Sequence, residues 1–365
     1  MGTGGERDGR ACLVGTPGDP GGGPAPVGRG SADAGGERDA AAVAVLVIPD
    51  DTPEFGGNWV SAHRVARALA LEGRRAEVVP AAAAPLAGPV LHAFNANTAV
   101  KLLERGADPG RLVVTWTGTD VWTDLVRDPA RFAVLDPVPC QTVLEPGARR
   151  AILARYPAWA DRVAVVPPGV DTRRFGPRGP REALAQPACL LVGGGRPVKR
   201  SLEAVDLVAA VREAGVPAEL VVLGPPRDPA YWAALEAAAA VRPWLRTVPV
   251  VPFEAMPRWY RAAALVVNNS LVEGVSNALL EAMASGCAVL AHDIPGNRAL
   301  VADGRTGVLF RDAAAFVAAA VRLLQDPAAR QALGRRARAS VRRRFDARRE
   351  ADRFLALYAR ARTAP

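Results

Sequence analysis

A chain of 365 residues, half of them hydrophobic, can bury sizeable cores, and its length suits two ordinary domains better than one small one. The formal net charge of +9 invites a polyanionic partner, but residues 330–365 alone carry twelve Arg against three acids, so the body of the chain is balanced. The excess belongs to C-terminal helices, read as a solvated or domain-bridging face; no specific nucleic-acid partner is expected, and peripheral membrane contact is left open without being predicted.

Residues 1–40 are dominated by Gly, Ala, Pro, Asp and Arg without apolar periodicity. Such a segment cannot bury enough surface to offset its ordering entropy and is expected to be disordered. No seven-residue apolar stretch follows a basic start, and no apolar run approaches the roughly 20 residues of a spanning helix, which sets the expected location as cytoplasmic. Cys12, Cys140, Cys189 and Cys287 lie far apart, as do His63, His92 and His292. That spacing argues against a disulfide scaffold and against a metal site, and leaves the last three cysteines as buried small hydrophobes.

Residues 42–49 form a continuous aliphatic run, the pattern of a strand buried on both faces in a parallel sheet. The loop at 50–57, holding Pro53, Gly56 and Gly57, leads to a helix with Val60, His63, Val65, Ala66, Leu69 and Leu71 on its apolar side and Gly73 as its stop. Further strands are predicted at 77–79, 89–92, 112–115 and 163–166. A Pro-, Gly- and Arg-rich stretch at 173–181 reads as a connector, after which the alternation restarts. Strand 189–192 runs into Gly193, Gly194 and Gly195; the helix at 201–214 carries Leu202, Val205, Val208 and Val211; strands follow at 218–223, 264–268 and 287–291. The fold class is therefore α/β, with two Rossmann-like doubly wound parallel-sheet domains, 41–178 and 179–330, followed by Arg-rich helices over 331–365 free to bridge back to the first domain. Ligands of such sheets bind beyond the carboxyl ends of the strands, so the loops after Ile48, Val114, Val192, Leu223 and Asn268 should face one cleft.

The most informative segment is 273–286. Ser276 or Asn277 can cap a short helix, Leu279, Leu280 and Met283 can pack it, and Gly286 can end it in a left-handed conformation. The exposed amides of its first turn, at Val275, Ser276 and Asn277, make a site for a diphosphate. Glu273 precedes the helix and Glu281 lies inside it. Eight helical residues span about 12 Å, against roughly 5 Å for the carboxylates of a retaining hydrolase, so the two acids should do different jobs.

Here the sequence resembles the retaining family 4 glycosyltransferases of the GT-B fold, whose Glu-x7-Glu motif corresponds to Glu273 and Glu281. The likeness continues through 285–291 and the Gly-x-Thr-Gly-like turn at 303–310. It implies that Glu273 approaches the transferred sugar, that Glu281 hydrogen-bonds the ribose, and that Arg196 and Lys199 hold the donor diphosphate. Lys199 is one of only two lysines beside 44 Arg, consistent with a compact point charge being wanted there. Gly56, Gly57 and Asn58 stand where such enzymes have a Gly-rich first loop whose backbone approaches the phosphates. Many members carry a His after the strand at 112–115, whereas this chain reads Trp116, Thr117, Gly118, Thr119, Asp120; an acceptor-side or sugar-side role is carried to Asn58, Thr119 and Asp120. Residues 57–64, 117–120 and 294–297 look like the branch of glycosyltransferase 1 domain-containing proteins, and the first two stretches also resemble the selenosugar synthases.

The resemblance implies a metal-independent, retaining transfer of a hexosyl or N-acetylhexosaminyl group from a nucleoside-diphosphate sugar to a small-molecule or glycan acceptor, with no cofactor besides that substrate. Arg196, Lys199 and the amides at Val275–Asn277 would stabilise the leaving diphosphate, and Glu273 would orient the sugar. Selenosugar synthase-like transfer to selenophosphate, a nucleotide-sugar epimerase or phosphorylase, a sugar-nucleotide-binding protein without turnover, and a basic scaffold for anionic polymers are the alternatives.

Overall fold

The apolar runs become two parallel six-stranded sheets, seen in a computed structural model that describes residues 42–52, 54, 56–184 and 187–363. The expected disorder of residues 1–40, Cys12 and Pro53 lie outside those described.

The first domain is built from β1 (Ala44–Ile48), α1 (Gly57–Ala70), β2 (Ala76–Pro80), β3 (Val90–Phe94), α2 (Ala96–Glu104), β4 (Leu112–Trp116), the single turn α3 (Leu125–Arg127), β5 (Cys140–Val143), α4 (Pro146–Leu153) and β6 (Val163–Val165). Its strand order is β2-β1-β3-β4-β5-β6, with Leu46 in register with Val78 on one side and His92 on the other. Every residue of β1 is buried because alternate side chains feed opposite faces. Val45 and Val47 join Leu91, Leu112 and Phe132 on one face; Ala44, Leu46 and Ile48 join Phe94 and Val113 on the other.

The second domain comprises β7 (Ala188–Val192), α5 (Ser201–Glu213), β8 (Glu219–Leu223), α6 (Pro229–Ala240), β9 (Leu245–Val248), α7 (Met256–Ala262), β10 (Leu265–Asn268), α8 (Asn277–Ala284), β11 (Ala288–His292), the short α9 (Pro295–Arg298), β12 (Val308–Phe310) and α10 (Ala313–Gln325). The order is β12-β11-β10-β7-β8-β9. In each sheet the first strand has neighbours leading in opposite directions, and the loops after β1, β7 and β10 start at these switch points.

Two helices complete the chain. α11 (Pro327–Arg344) packs on α8 and β11, whereas α12 (Ala347–Thr363) crosses to the first domain and covers α1, β3, β4 and β5. Phe354 and Tyr358 of α12 enter the core beside Phe94. Tyr358 Oη lies 2.8 Å from His92 Nδ1, and His92 Nε2 lies 2.6 Å from Thr115 Oγ1, which contacts Thr142 Oγ1 at 2.7 Å. Burial pushes the His92 imidazole down to about 3, so it sits neutral as a polar rivet under the helix. The two sheets and both helices fold together as one compact unit.

Three strands escape the sequence reading. In β5 the residues Gln141 and Thr142 interrupt the apolar run, yet both are buried because Trp116 Nε1 donates to Gln141 Oε1 at 3.0 Å and Thr142 meets Thr115. β9 and β12 are short edge strands that alternate only weakly. The expected stop of α1 comes earlier than Gly73: the helix ends at Ala70, and Gly73, at φ 66°, belongs to the turn in which Arg74 N reaches Leu69 O. Cys140, Cys189 and Cys287 are buried free thiols.

Candidate functional site

The loop from Asn268 to Asn277 is organised by side chains that satisfy each other. Ser276 caps α8, its Oγ accepting from Leu279 N at 3.4 Å, and Asn268 Nδ2 donates to that same Oγ at 3.2 Å. Asn297 Nδ2 holds Asn268 Oδ1 at 3.0 Å and His292 O at 2.9 Å, tying the loop to α9. Glu273 emerges from this frame with three donors on its Oε1: Lys199 Nζ at 2.5 Å, Ser270 Oγ at 2.9 Å and Asn268 Nδ2 at 3.2 Å. Burial would raise its carboxyl, but the Lys199 charge and these donors hold it below the usual range. The pair is largely withdrawn from water, so each partner would be costly without the other.

Lys199 reaches Glu273 over Gly193, at φ 108°, where a Cβ would lie 3.1 Å from Lys199 Cε. Arg196 sits three residues earlier with its Nε buried and without a hydrogen-bond partner. A buried, unpaired guanidinium nitrogen marks a place where an acceptor is missing. Glu281, one helical turn into α8, accepts from Tyr260 Oη at 2.8 Å. Burial pushes its carboxyl up to about 7, offset in part by the Tyr260 bond and by Arg64 and Arg67.

The first domain meets this loop through backbone. A Cβ on Gly118 would lie 2.5 Å from Gly274 N, and one on Gly296 2.5 Å from Glu273 O, so three glycines allow the 117–118, 273–274 and 295–296 segments to stack. Arg64 of α1 donates to Asn277 Oδ1 at 2.6 Å and makes a two-pronged pair with Glu350 of α12, at 2.7 and 3.1 Å. Glu350 also accepts from Gly169 N at 2.9 Å, so the C-terminal helix, the segment before the inter-domain connector and the start of α8 share one network.

These elements enclose a cleft of about 300 Å³. Gly57, Asn58 and Thr119 line it from the first domain; Arg196, Lys199, Glu273, Val275, Ser276, Asn277 and Glu281 line it from the second. Gly56 is displaced: it is the N-cap of α1 and borders an adjoining cavity. Asp120 corrects the sequence expectation. It is fully buried, and its carboxylate accepts from the amides of Ala96, Thr117, Gly118 and Val121 at 2.7–3.1 Å. An acid spent on four backbone amides shapes the 117–121 loop and cannot face a sugar or an acceptor.

Residues 186–326 match the family model described as "Glycosyl transferases group 1". The match falls within the second domain. Glycosyltransferase 1 domain-containing protein 1 of Xenopus tropicalis is 33% identical over 138 residues, covering 38% of this chain and 40% of its own length. A D-inositol 3-phosphate glycosyltransferase of Geodermatophilus obscurus is 36% identical over 191 residues, 47% of this chain and 42% of that protein. The chain thus spans less than half the length of these curated relatives. Among solved structures, sucrose-phosphate synthase of Thermosynechococcus elongatus aligns over 88% of this chain and all of its own at TM-score 0.69 and 19% identity. Anabaena HepE, solved in complex with UDP-glucose, aligns over 86% of this chain and 98% of its own at TM-score 0.68 and 14% identity. The architecture is GT-B, two Rossmann-like domains across a cleft.

Within the second domain, Asn268, Ser270, Asn297 and Tyr260 are cleft residues that sequence reasoning missed as such. Asn268 ends a buried strand and Ser270 follows it closely, which was the available signal; Asn297 and Tyr260 come from separate elements and only folding brings them to Asn268 and Glu281. Among the described residues no group of three or more His, Cys, Asp and Glu could hold a metal ion, and no helix is long and apolar enough to cross a membrane.

Proposed function

We propose that the chain is a retaining glycosyltransferase that moves a hexosyl or N-acetylhexosaminyl group from a nucleoside-diphosphate sugar. The observation that carries the reading is the conjunction of Arg196, whose buried Nε lacks an acceptor, with Lys199 and the start of α8 around one cleft. Negative charge grows on the departing diphosphate during sugar transfer. Two cations and a helix N-terminus fixed in advance stabilise that charge without having to reorganise. Complexes of HepE with UDP and UDP-glucose on the same fold support a nucleotide-sugar donor.

In this mechanism the diphosphate lies across Arg196, Lys199 and the amides of Val275–Asn277, and Glu281 accepts from the ribose. Glu273, locked by Lys199, Ser270 and Asn268, orients the sugar and forms no covalent bond. The acceptor hydroxyl attacks the anomeric carbon from the face the leaving group vacates, and its proton passes to a diphosphate oxygen. The charge is met by protein cations, so no divalent ion or cofactor is called for.

A melting-temperature screen of nucleoside diphosphates and their sugars, with EDTA, on the wild type and on Lys199→Ala and Glu281→Ala tests the reading. A ligand that binds only the folded state raises the midpoint, by about 2.7 kcal/mol of stabilisation at a hundredfold excess over Kd. One sugar nucleotide should stabilise the wild type and neither variant; no shift from any of them sinks the proposal.

A further inference from the structure

The arginine-rich C-terminus, which the cleft does not use, forms part of a separate cavity of about 760 Å³ that shares no lining residue with the cleft. It lies where the chain passes twice between the domains. Val170 N donates to Phe345 O at 2.8 Å and Ala347 N to Val170 O at 3.3 Å, so the outward crossing and the return into α12 run side by side. Arg173 and Arg178 of the connector line the space together with Arg338 and Arg342 of α11 and Arg348 of α12. Two carboxylates stand among these arginines, and each is already turned to backbone: Asp171 accepts from Arg173 N at 2.9 Å and Asp346 from Arg348 N at 3.0 Å. Arg348 has an acid of its own, Glu72 at 2.7 Å. Among the described residues, the guanidiniums of Arg173, Arg178 and Arg342 have no carboxylate partner. Arg338 is fixed in place by carbonyls, its Nη1 donating to Phe175 O at 3.0 Å and its Nη2 to Thr172 O at 3.2 Å. Carbonyls supply direction without a countercharge, and burial and then the nearby Arg342 charge hold this guanidinium below its usual range.

Like charges gathered in a concavity are unfavourable together, and an anion that enters relieves them. We propose that this cavity is a binding site for an inorganic oligophosphate, held between Arg178 of the connector and Arg338 and Arg342 of α11. Each guanidinium presents a planar fork of donors to phosphoryl oxygens, and consecutive phosphoryl groups stand close enough together to meet several arginines in one concavity. The acids on one side of an extended peptide stand about 7 Å apart, a sparser charge than this space gathers. No aromatic side chain lines the cavity, so a nucleobase has no stacking partner there, and a membrane surface cannot follow the arginines inward. A bound oligophosphate ties the connector to α11 and to the start of α12. Glu350, one turn beyond Asp346, bonds Gly169 N and Arg64, and Arg64 bonds Asn277, so the tie also reaches the first turn of α8. The site stands on this cavity alone and does not depend on the transfer reaction.

The test titrates tripolyphosphate into the full chain by calorimetry, with sodium chloride at matched ionic strength as control, and maps its position by amide hydrogen exchange. Tripolyphosphate should bind saturably and raise protection in peptides covering 169–178 and 338–350. Arg178→Gln and Arg342→Gln should each weaken binding about tenfold. Both side chains are exposed and without an ion pair, so neither change should disturb folding. Arg343→Gln, which alters an exposed arginine on the same helix but outside the cavity, should bind as the wild type does. No binding beyond the chloride control overturns the proposal, and an equal loss in Arg343→Gln does so by reporting a diffuse charge effect. Protection confined to 193–200 and 273–281 would put the anion in the cleft and is equally fatal. A hexaglutamate peptide that binds as tightly would make the occupant an acidic segment. A nucleoside triphosphate that binds more tightly than tripolyphosphate, with its advantage lost in Arg342→Gln, would make it a nucleotide, and either result ends the oligophosphate assignment.

Discussion

The two faces of the cleft hold their shape by opposite means. The second-domain face is a network of charged and polar side chains, Glu273–Lys199–Ser270–Asn268–Asn297, joined by side-chain hydrogen bonds. The first-domain face is mostly backbone, with Gly118 stacked on Gly274 and Asp120 buried beneath, gathering four amides. Charge that must respond to a reacting ligand sits on side chains fixed by a network. Close approach between domains is left to glycine, because any Cβ would occupy the gap.

The largest effect is expected from breaking the network at its ionic centre. Glu273→Ala leaves Lys199 without its partner, which should cost 3–5 kcal/mol of stability, and sugar transfer should fall by at least about a hundredfold. Glu273→Gln, which retains the shape, separates the two by recovering stability without activity. Denaturant unfolding beside a transfer assay reads both, and a Glu273→Gln enzyme at wild-type rate would contradict the orienting role.

On the opposite face, Gly118→Ala pushes a methyl into Gly274 N and adds strain at φ 135°. It should impair transfer about tenfold or more by displacing the loop that carries Glu273, with donor-induced stabilisation reduced as well. Asp120→Asn should instead act mainly on stability, by about 1–3 kcal/mol, and leave KM for the acceptor unchanged. A selective rise in that KM would restore Asp120 to the acceptor side.

Glu281 sharpens the contrast through pH. Its folded value, near 7, lies above the ordinary 4.5, so its contribution to stability is fully present below 4.5 and is lost as pH rises through about 7. Glu281→Gln should therefore be more stable than the wild type in alkaline buffer without ligand, and should lose the rise in nucleotide affinity that ionisation produces on passing about 7. Parallel pH profiles of melting temperature and nucleotide affinity decide it.

The smallest effect concerns the rivet beneath α12. The His92 value falls from 6.5 to about 3 on folding, so the unfolded chain binds the proton first and stability drops as pH is lowered from 6.5 toward 3. A variant with an uncharged residue at this position, such as His92→Gln, should show a shallower acid limb in the same profile; an unchanged slope removes His92 from the account.

Much of this was legible along the chain. The buried run at 42–49, the Gly193–Gly195 loop, and the capped helix between Glu273 and Gly286 are local patterns, readable because hydrophobic periodicity, capping and left-handed glycine are properties of neighbouring residues. The same holds for Lys199, conspicuous in an arginine-rich composition. What stayed hidden depended on distant partners. Cys140, Gln141, Thr142 and Val143 form a core strand only because Trp116 and Thr115 satisfy their polar groups, and Asp120 resembled an exposed loop acid until folding placed four amides around it.

Sequence by itself therefore determined the alternation of strands and helices, the carboxyl-end loops that had to converge, and the residue types able to hold a diphosphate. Tertiary structure alone decided that α12 returns to roof the first sheet, that Arg64 bridges Glu350 to Asn277, and that Arg178, Arg338 and Arg342 line one cavity. The reason is physical: local patterns report which face of an element is apolar and how it ends, whereas the partner of a buried charge is chosen by chain segments hundreds of residues apart that meet only when the cores close.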